Sequence, residues 1–304
     1  MLFQARLGMR CGFRPGWIIR VLEIVLLFNV SALAQSSSSA ITFQFDSFDY
    51  PSAAATHAIG MNKAGIITGY YTDSLSGTHG FVRMTNGTFR SIDYPDATLT
   101  AAYHINDSNQ IVGFYTNSDN VLHGFLLTPP NQFTPVDVPG ATQTQAYGIN
   151  NSGQIVGVWY RGGRLTGFLL VNGTYSNVQY PGAAGTAATD INSTGDICGN
   201  WTDSSGVSHA FLESNGNYSD IDFPGAANTH AYGVNDLDEI VGQYMLPTQA
   251  QHGWGALPAK NQYLTIDFPG SVASEVAGIT NAGHLAGHYT DHNNSTHGFI
   301  ATPK

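Results

Sequence analysis

The segment GINNSGQIVG, residues 148–157, recurs in altered form five more times, as GMNKAGIITG, HINDSNQIVG, DINSTGDICG, GVNDLDEIVG and GITNAGHLAG. A second motif of the D-Y-P type recurs with it. Its prolines, Pro51, Pro95, Pro139, Pro181, Pro224 and Pro269, are spaced by 44, 44, 42, 43 and 45 residues. A regular period of this size marks stacked or radially arrayed supersecondary units, each unable to bury its apolar face alone. Any fold assigned to this chain must therefore be built from six near-copies of one unit.

Each unit contains four short strand candidates. In the third they are AYGIN, QIVGVW, GFLLV and TYSNVQY, each of a common strand length. No stretch carries a run at the helical period. Asn150-Asn151-Ser152-Gly153 reads as a tight turn between the first two strands, because Asn favours turn geometry and Gly accepts positive φ. NDLDE resembles part of a calcium loop but lacks the remaining ligand spacing. Asn86-Gly87, Asn172-Gly173 and Asn215-Gly216 mark a second hairpin. Four antiparallel strands repeated six times predict an all-β, six-bladed β-propeller. The ends agree, since ITFQFDSFD near residue 41 can pair with the last strand, HGFIATP, close the ring and remove two exposed edges.

The first 34 residues differ. Arg6, Arg10, Arg14 and Arg20 precede a short apolar run ending in Ala32-Leu33-Ala34, the pattern of a secretory signal. Residues 35–40, QSSSSA, read as a flexible lead-in, and residues 41–304 as one six-repeat domain. The expected location is secreted or extracellular, with periplasm or cell surface as variants. Without the leader, 7 Lys and Arg face 20 Asp and Glu, a net charge of −13, which disfavours nucleic acid. The mature chain is expected to be monomeric and not inserted in a membrane. Cys198, the single cysteine after the leader, stands where other units carry small apolar residues and reads as core.

At the third strand the repeat resembles the HAF-repeat proteins, a family predicted to be extracellular. His209-Ala210-Phe211 matches the naming tripeptide; His79-Gly80-Phe81, His123-Gly124-Phe125 and His297-Gly298-Phe299 match with a central Gly. His252-Gly253-Trp254 is looser, and Thr166-Gly167-Phe168 lacks the His. The resemblance spans nearly all of residues 41–304 and implies a secreted repeat protein, without an established activity or catalytic residues.

Two kinds of position are candidates for function. Asp73, Asp203 and Asp291 each precede a His of their own unit by six residues: His79, His209 and His297. Unit three has Arg161 and Thr166 at these places and loses both partners. A catalyst is needed once, so a recurring pair reads as structural. Asp49, Asp93, Asp137, Asp222 and Asp267, each before x-Pro, read as turn formers, with Gln179 in the remaining unit. The second kind varies between units. His57, Gln145, His230 and Glu275 occupy one position of the innermost strand, and His104 and Asp190 replace Gly at another. These six are expected around the mouth of a central channel. They suit a binding site for an extracellular glycan or protein on the loop-rich face. In the alternative reading, His57, His104, Asp190, His230 and Glu275 serve a carbohydrate-active hydrolase or lyase. No cofactor fingerprint is present; a divalent cation among these residues is the one ion the pattern would allow.

Overall fold

The computed structural model describes residues 41–304; the leader and lead-in assigned to residues 1–34 and 35–40 lie outside the described residues. The described chain forms six four-stranded antiparallel sheets arranged as a propeller, with one short 3₁₀ turn at Pro258–Lys260. Blade one runs through Ala55–Met61, Ile67–Thr72, Thr78–Arg83 and Phe89–Ile92 from the channel outward. Blade six combines three C-terminal strands with Phe43–Phe48, which pairs antiparallel with Thr296–Pro303 from Phe43↔Pro303 to Phe48↔Gly298. The predicted closure is therefore present, and it leaves no blade incomplete.

Three repeated residues hold each blade together and fix it to its neighbour. The Gly of the I-V-G strand lies against the inner strand. A Cβ on Gly69 would come within 2.0 Å of the His57 carbonyl oxygen, and Gly113, Gly157, Gly199, Gly242 and Gly287 repeat the contact. The Phe of the third strand is fully buried at Phe81, Phe125, Phe168, Phe211 and Phe299, with Trp254 in the fifth blade. Each lies in an apolar cluster that joins its own blade's inner strand to the preceding blade. The Thr before x-A caps the D-Y-P turn: Tyr50 N–H donates to Thr56 Oγ1 at 3.0 Å, and Thr100, Thr144, Thr186, Thr229 and Ser274 accept in the same way.

The opening motif does more than turn the chain. Gly153 adopts φ 77°, as the turn requires. Asn150 Oδ1 accepts the N–H groups of Ser152 and Gln154, while Asn150 Nδ2 donates to the Asn192 carbonyl of the next blade at 2.9 Å. Asn62, Asn106, Asn192 and Asn235 donate likewise, at 3.3, 3.1, 3.2 and 3.2 Å. Five buried amides thus link six blades in a girdle. Thr280 holds the sixth place, and its hydroxyl bonds only within its own turn. The girdle is open between blades six and one.

Candidate functional site

The strand order places the N-x-x-G and N-G turns at one end of the propeller. The D-Y-P and Y-T-D-S loops lie at the other, since connections alternate along antiparallel strands. The repeated Asp and His residues belong to this second, loop-rich rim. Their geometry corrects the sequence reading. His79 Nδ1 pairs at 2.7 Å with Asp93, the acid of the D-Y-P motif, whereas Asp73 sits 3.6 Å from Nε2. The same order holds for His209, with Asp222 at 2.6 Å and Asp203 at 3.8 Å. It holds again for His297, with Asp49 at 2.9 Å and Asp291 at 3.7 Å.

The loop acids are primarily turn formers. Asp73 Oδ1 accepts the N–H groups of Leu75 and Gly77, and those bonds hold its pKa below the usual carboxylate value. The Ser205 hydroxyl and the Val207 N–H do the same for Asp203, and the Ser295 N–H leads for Asp291. The roles assigned from sequence to the two kinds of Asp are therefore exchanged: the acid before x-Pro holds the imidazole, and the loop acid shapes the turn.

Each rim imidazole also ends an aromatic stack. Tyr50 lies 3.7 Å from Tyr71, whose ring faces His79 at 5.2 Å. Blades two, four, five and six repeat this with Tyr94–Tyr115–His123, Tyr180–Trp201–His209, Phe223–Tyr244–His252 and Phe268–Tyr289–His297. Blade three has Val138, Trp159, Thr166 and Gln179 instead, so the acid before x-Pro is lost together with its imidazole partner. Gln179 donates to Thr186 Oγ1. That shared absence was visible in the sequence and pairs His with the acid before x-Pro, a signal the six-residue spacing obscured.

The channel is organised differently. A bulge interrupts every inner strand after the x-A pair, as between Ala146 and Gly148, and such bulges re-aim side chains. A cavity of about 360 Å³ is lined by His57, Tyr70, Tyr103, Tyr147, Tyr232, Glu275 and His288, among others. His57 stacks on Tyr70 at 4.5 Å and meets the edge of His288 at 4.6 Å. His288 Nε2 lies 3.8 Å from Glu275 Oε1. Nδ1 of His57 and of His288 has no hydrogen-bond partner among the described residues.

Burial dominates the electrostatics here. It lowers the His57 pKa to about 3, helped by His288, and that of His288 to about 4. It raises the Glu275 carboxyl to about 7 and, with help from Glu275, the Tyr70 phenol to about 12. Tyr103 and Tyr232 are pushed well above their ordinary value by burial, with Glu275 contributing. At neutral pH both imidazoles are neutral and Glu275 stands near its midpoint.

His104 reaches this cavity as well, and the other candidates fall elsewhere. His104 Nδ1 and Asp190 Oδ1 meet at 3.1 Å across the blade between them. Gly148 of that blade leaves the room; a Cβ there would come within 2.9 Å of Asp190 Oδ1. Asp190 Oδ2 also accepts the Val234 N–H. This pair lines a second cavity of about 330 Å³ at the girdle end, together with Asn106, Asn150 and Asn192. Gln145 is engaged by the Tyr147 hydroxyl. His230 lies 3.5 Å from Ser208 Oγ, and burial lowers its pKa. The six expected residues thus divide among several places: His57, His104 and Glu275 line the tyrosine-rich cavity, and His104 with Asp190 lines the one at the girdle end. No group of three or more His, Cys, Asp or Glu suited to a metal ion occurs among the described residues.

His288 and the four tyrosines were missed from sequence. Tyr103, Tyr147 and Tyr232 stand two places after the variable position, and His288 pairs directly with Glu275 in register. Strand alternation and antiparallel pairing together would have found them.

No family model matches the chain, and no curated protein matches it. Solved structures share its fold. A putative TolB from Agrobacterium tumefaciens aligns with TM-score 0.61 and 10% identity, covering 87% of this chain and 99% of that one. AofleA from Arthrobotrys oligospora aligns with TM-score 0.56 and 11% identity, over 86% and 88%. A fungal lectin from Aleuria aurantia, described as a six-bladed β-propeller with a novel fucose recognition mode, aligns with TM-score 0.52 and 10% identity, over 86% and 91%. The chain is a six-bladed β-propeller. At such identities the likeness is one of architecture.

Proposed function

We propose that this propeller is a non-catalytic recognition module acting outside the cytoplasm, binding an extracellular glycan or protein through its loop-rich end and the channel. One observation carries the reading. The repeated imidazoles and acids of the rim are engaged within the ring, whereas His57, His104 and Glu275 share a cavity in which the hydroxyls of Tyr70, Tyr103 and Tyr232 make no hydrogen bond to a described residue. Cavities with aromatic walls and a few convergent polar groups are the usual form of small-ligand sites. The fungal lectin among the structural neighbours supports a glycan as the first choice. Membership in the HAF-repeat group, carried by His209-Ala210-Phe211 and its variants, is part of the same proposal. Cys198 offers no nucleophile, because it is fully buried and burial raises its thiol pKa. The test is a glycan array combined with a polysaccharide-turnover screen, with and without chelator. Saturable binding without turnover supports the proposal.

One observation favours a second reading. Glu275 titrates near neutrality beside His57 and His288, and a carboxyl poised there can act as general acid or base. A hydrolase or lyase at the channel would show turnover that Glu275→Gln abolishes while the fold is kept.

A further inference from the structure

Glu275 is deep in the channel, yet its side chain keeps 18% of its exposure and can be reached from the cavity. No Lys or Arg lines that cavity. His288 is 3.8 Å away and neutral, so an ionised Glu275 has no cationic counterpart among the described residues. Around it stand Tyr70, Tyr103 and Tyr232, whose hydroxyls make no hydrogen bond to any described residue and are not sealed from the cavity. Phenols accept as well as donate, and their ring faces attract cations. Beyond the leader the chain carries a net charge of −13, which draws cations toward it.

We propose that the channel binds a hydroxyl-rich ligand bearing a free ammonium group, such as a saccharide unit whose amine is not acylated. The ammonium lies against Glu275, and ring hydroxyls meet Tyr70, Tyr103 and Tyr232. A neutral sugar leaves the carboxylate unmatched, and a simple amine leaves the phenols unmatched; an amino sugar satisfies both. This deepens the glycan reading and rests on it for the source of the ligand. Because Glu275 is half protonated near neutral pH, binding the cation completes its ionisation and releases a proton.

The experiment is calorimetric titration of the full-length protein with glucosamine, N-acetylglucosamine, glucose and ethanolamine, in two buffers of different ionisation enthalpy. Glucosamine is expected to bind at least about tenfold more tightly than the other three. It should release protons near pH 7, with affinity rising between about pH 5.5 and 7.5. Glu275→Gln should remove both the preference and the pH dependence, and Tyr232→Phe should weaken binding without removing the proton release. Leu75→Ser, on an exposed loop, is the control. Proton release is read on the unaltered protein, so the test survives a variant that fails to fold. Equal affinity for glucosamine and N-acetylglucosamine, or no binding of glucosamine, overturns the proposal. Should other glycans then bind on the array, the recognition reading stands without it; should glucosamine bind while the array of larger glycans stays blank, the channel site stands and the loop-face reading falls.

Discussion

The rim and the channel use the same residue types in opposite ways. At the rim, five imidazoles each pair with an aspartate at 2.6–3.0 Å and stack on an aromatic ring. In the channel, His57 and His288 each retain a nitrogen without a partner, and Glu275 has only a neutral ring nearby. Repetition accounts for the difference. A side chain copied into every blade is selected for what every blade needs, which is attachment to its neighbour. A side chain present once is free of that constraint. In a symmetric ring, chemistry is best sought where symmetry fails.

Breaking the ring itself should have the largest effect. Deleting residues 41–50 removes the closing strand, its six register pairs and the Asp49 partner of His297. Loss of cooperative unfolding in calorimetry is expected, whereas trimming a free terminus would leave it intact. Next comes the girdle. Asn150→Ala removes an inter-blade bond and two turn bonds from a buried site. Leaving those groups unsatisfied should cost about 2–3 kcal/mol in denaturant titration.

At the rim, His209→Ala should cost about 1–2 kcal/mol, from one hydrogen bond and one stacking contact. Asp222→Asn should follow it closely and Asp203→Asn should cost less, because Asp222 is the near partner. An Asp203 effect larger than that of Asp222 would reverse the exchange of roles described above.

The channel gives a pH-dependent effect. The folded-state pKa of Glu275 is raised, so the native state holds a proton that the unfolded chain has lost between about pH 4.5 and 7. Its stabilising contribution is complete below the unfolded value and fades as pH rises through about 7. Glu275→Gln should therefore raise the melting temperature at pH 8 and change it little at pH 5. His57 and His288 act with the opposite sign: their lowered pKa values contribute stability above about pH 6.5 that is lost as pH falls toward 4 and 3. The smallest change is expected from Thr280→Asn, which supplies the missing sixth amide of the girdle and should raise the melting temperature slightly.

The architecture was legible because local and global signals agree. Asn-Gly pairs turn, I-V-G strands alternate, and the complementary ends call for closure. The site was legible only in part. His57 and Glu275 stood out as departures from the repeat. His288 did not, because its position in other blades carries Tyr70, Phe114, Val158, Asn200 or Gln243 and offers no fixed type to depart from. The six-residue spacing points His79 to Asp73, but nearness in sequence is not nearness in space. Asp93 is farther from His79 along the chain than Asp73, but the outermost strand returns it to the imidazole. The girdle was hidden for another reason: Asn explains a turn so well that its amide needed no second role.

The imidazoles of the rim hold the propeller together, and the proposed recognition of a free-amine saccharide belongs to the channel. The most direct measurement compares binding by the unaltered protein, His209→Ala and Glu275→Gln on one glycan panel that includes free-amine saccharides, counting only folded protein. The expected result is lower stability with unchanged binding for His209→Ala, and unchanged folding with lost binding for Glu275→Gln at pH 7.5. Lost binding in folded His209→Ala, with Glu275→Gln binding as the unaltered protein does, would contradict the account.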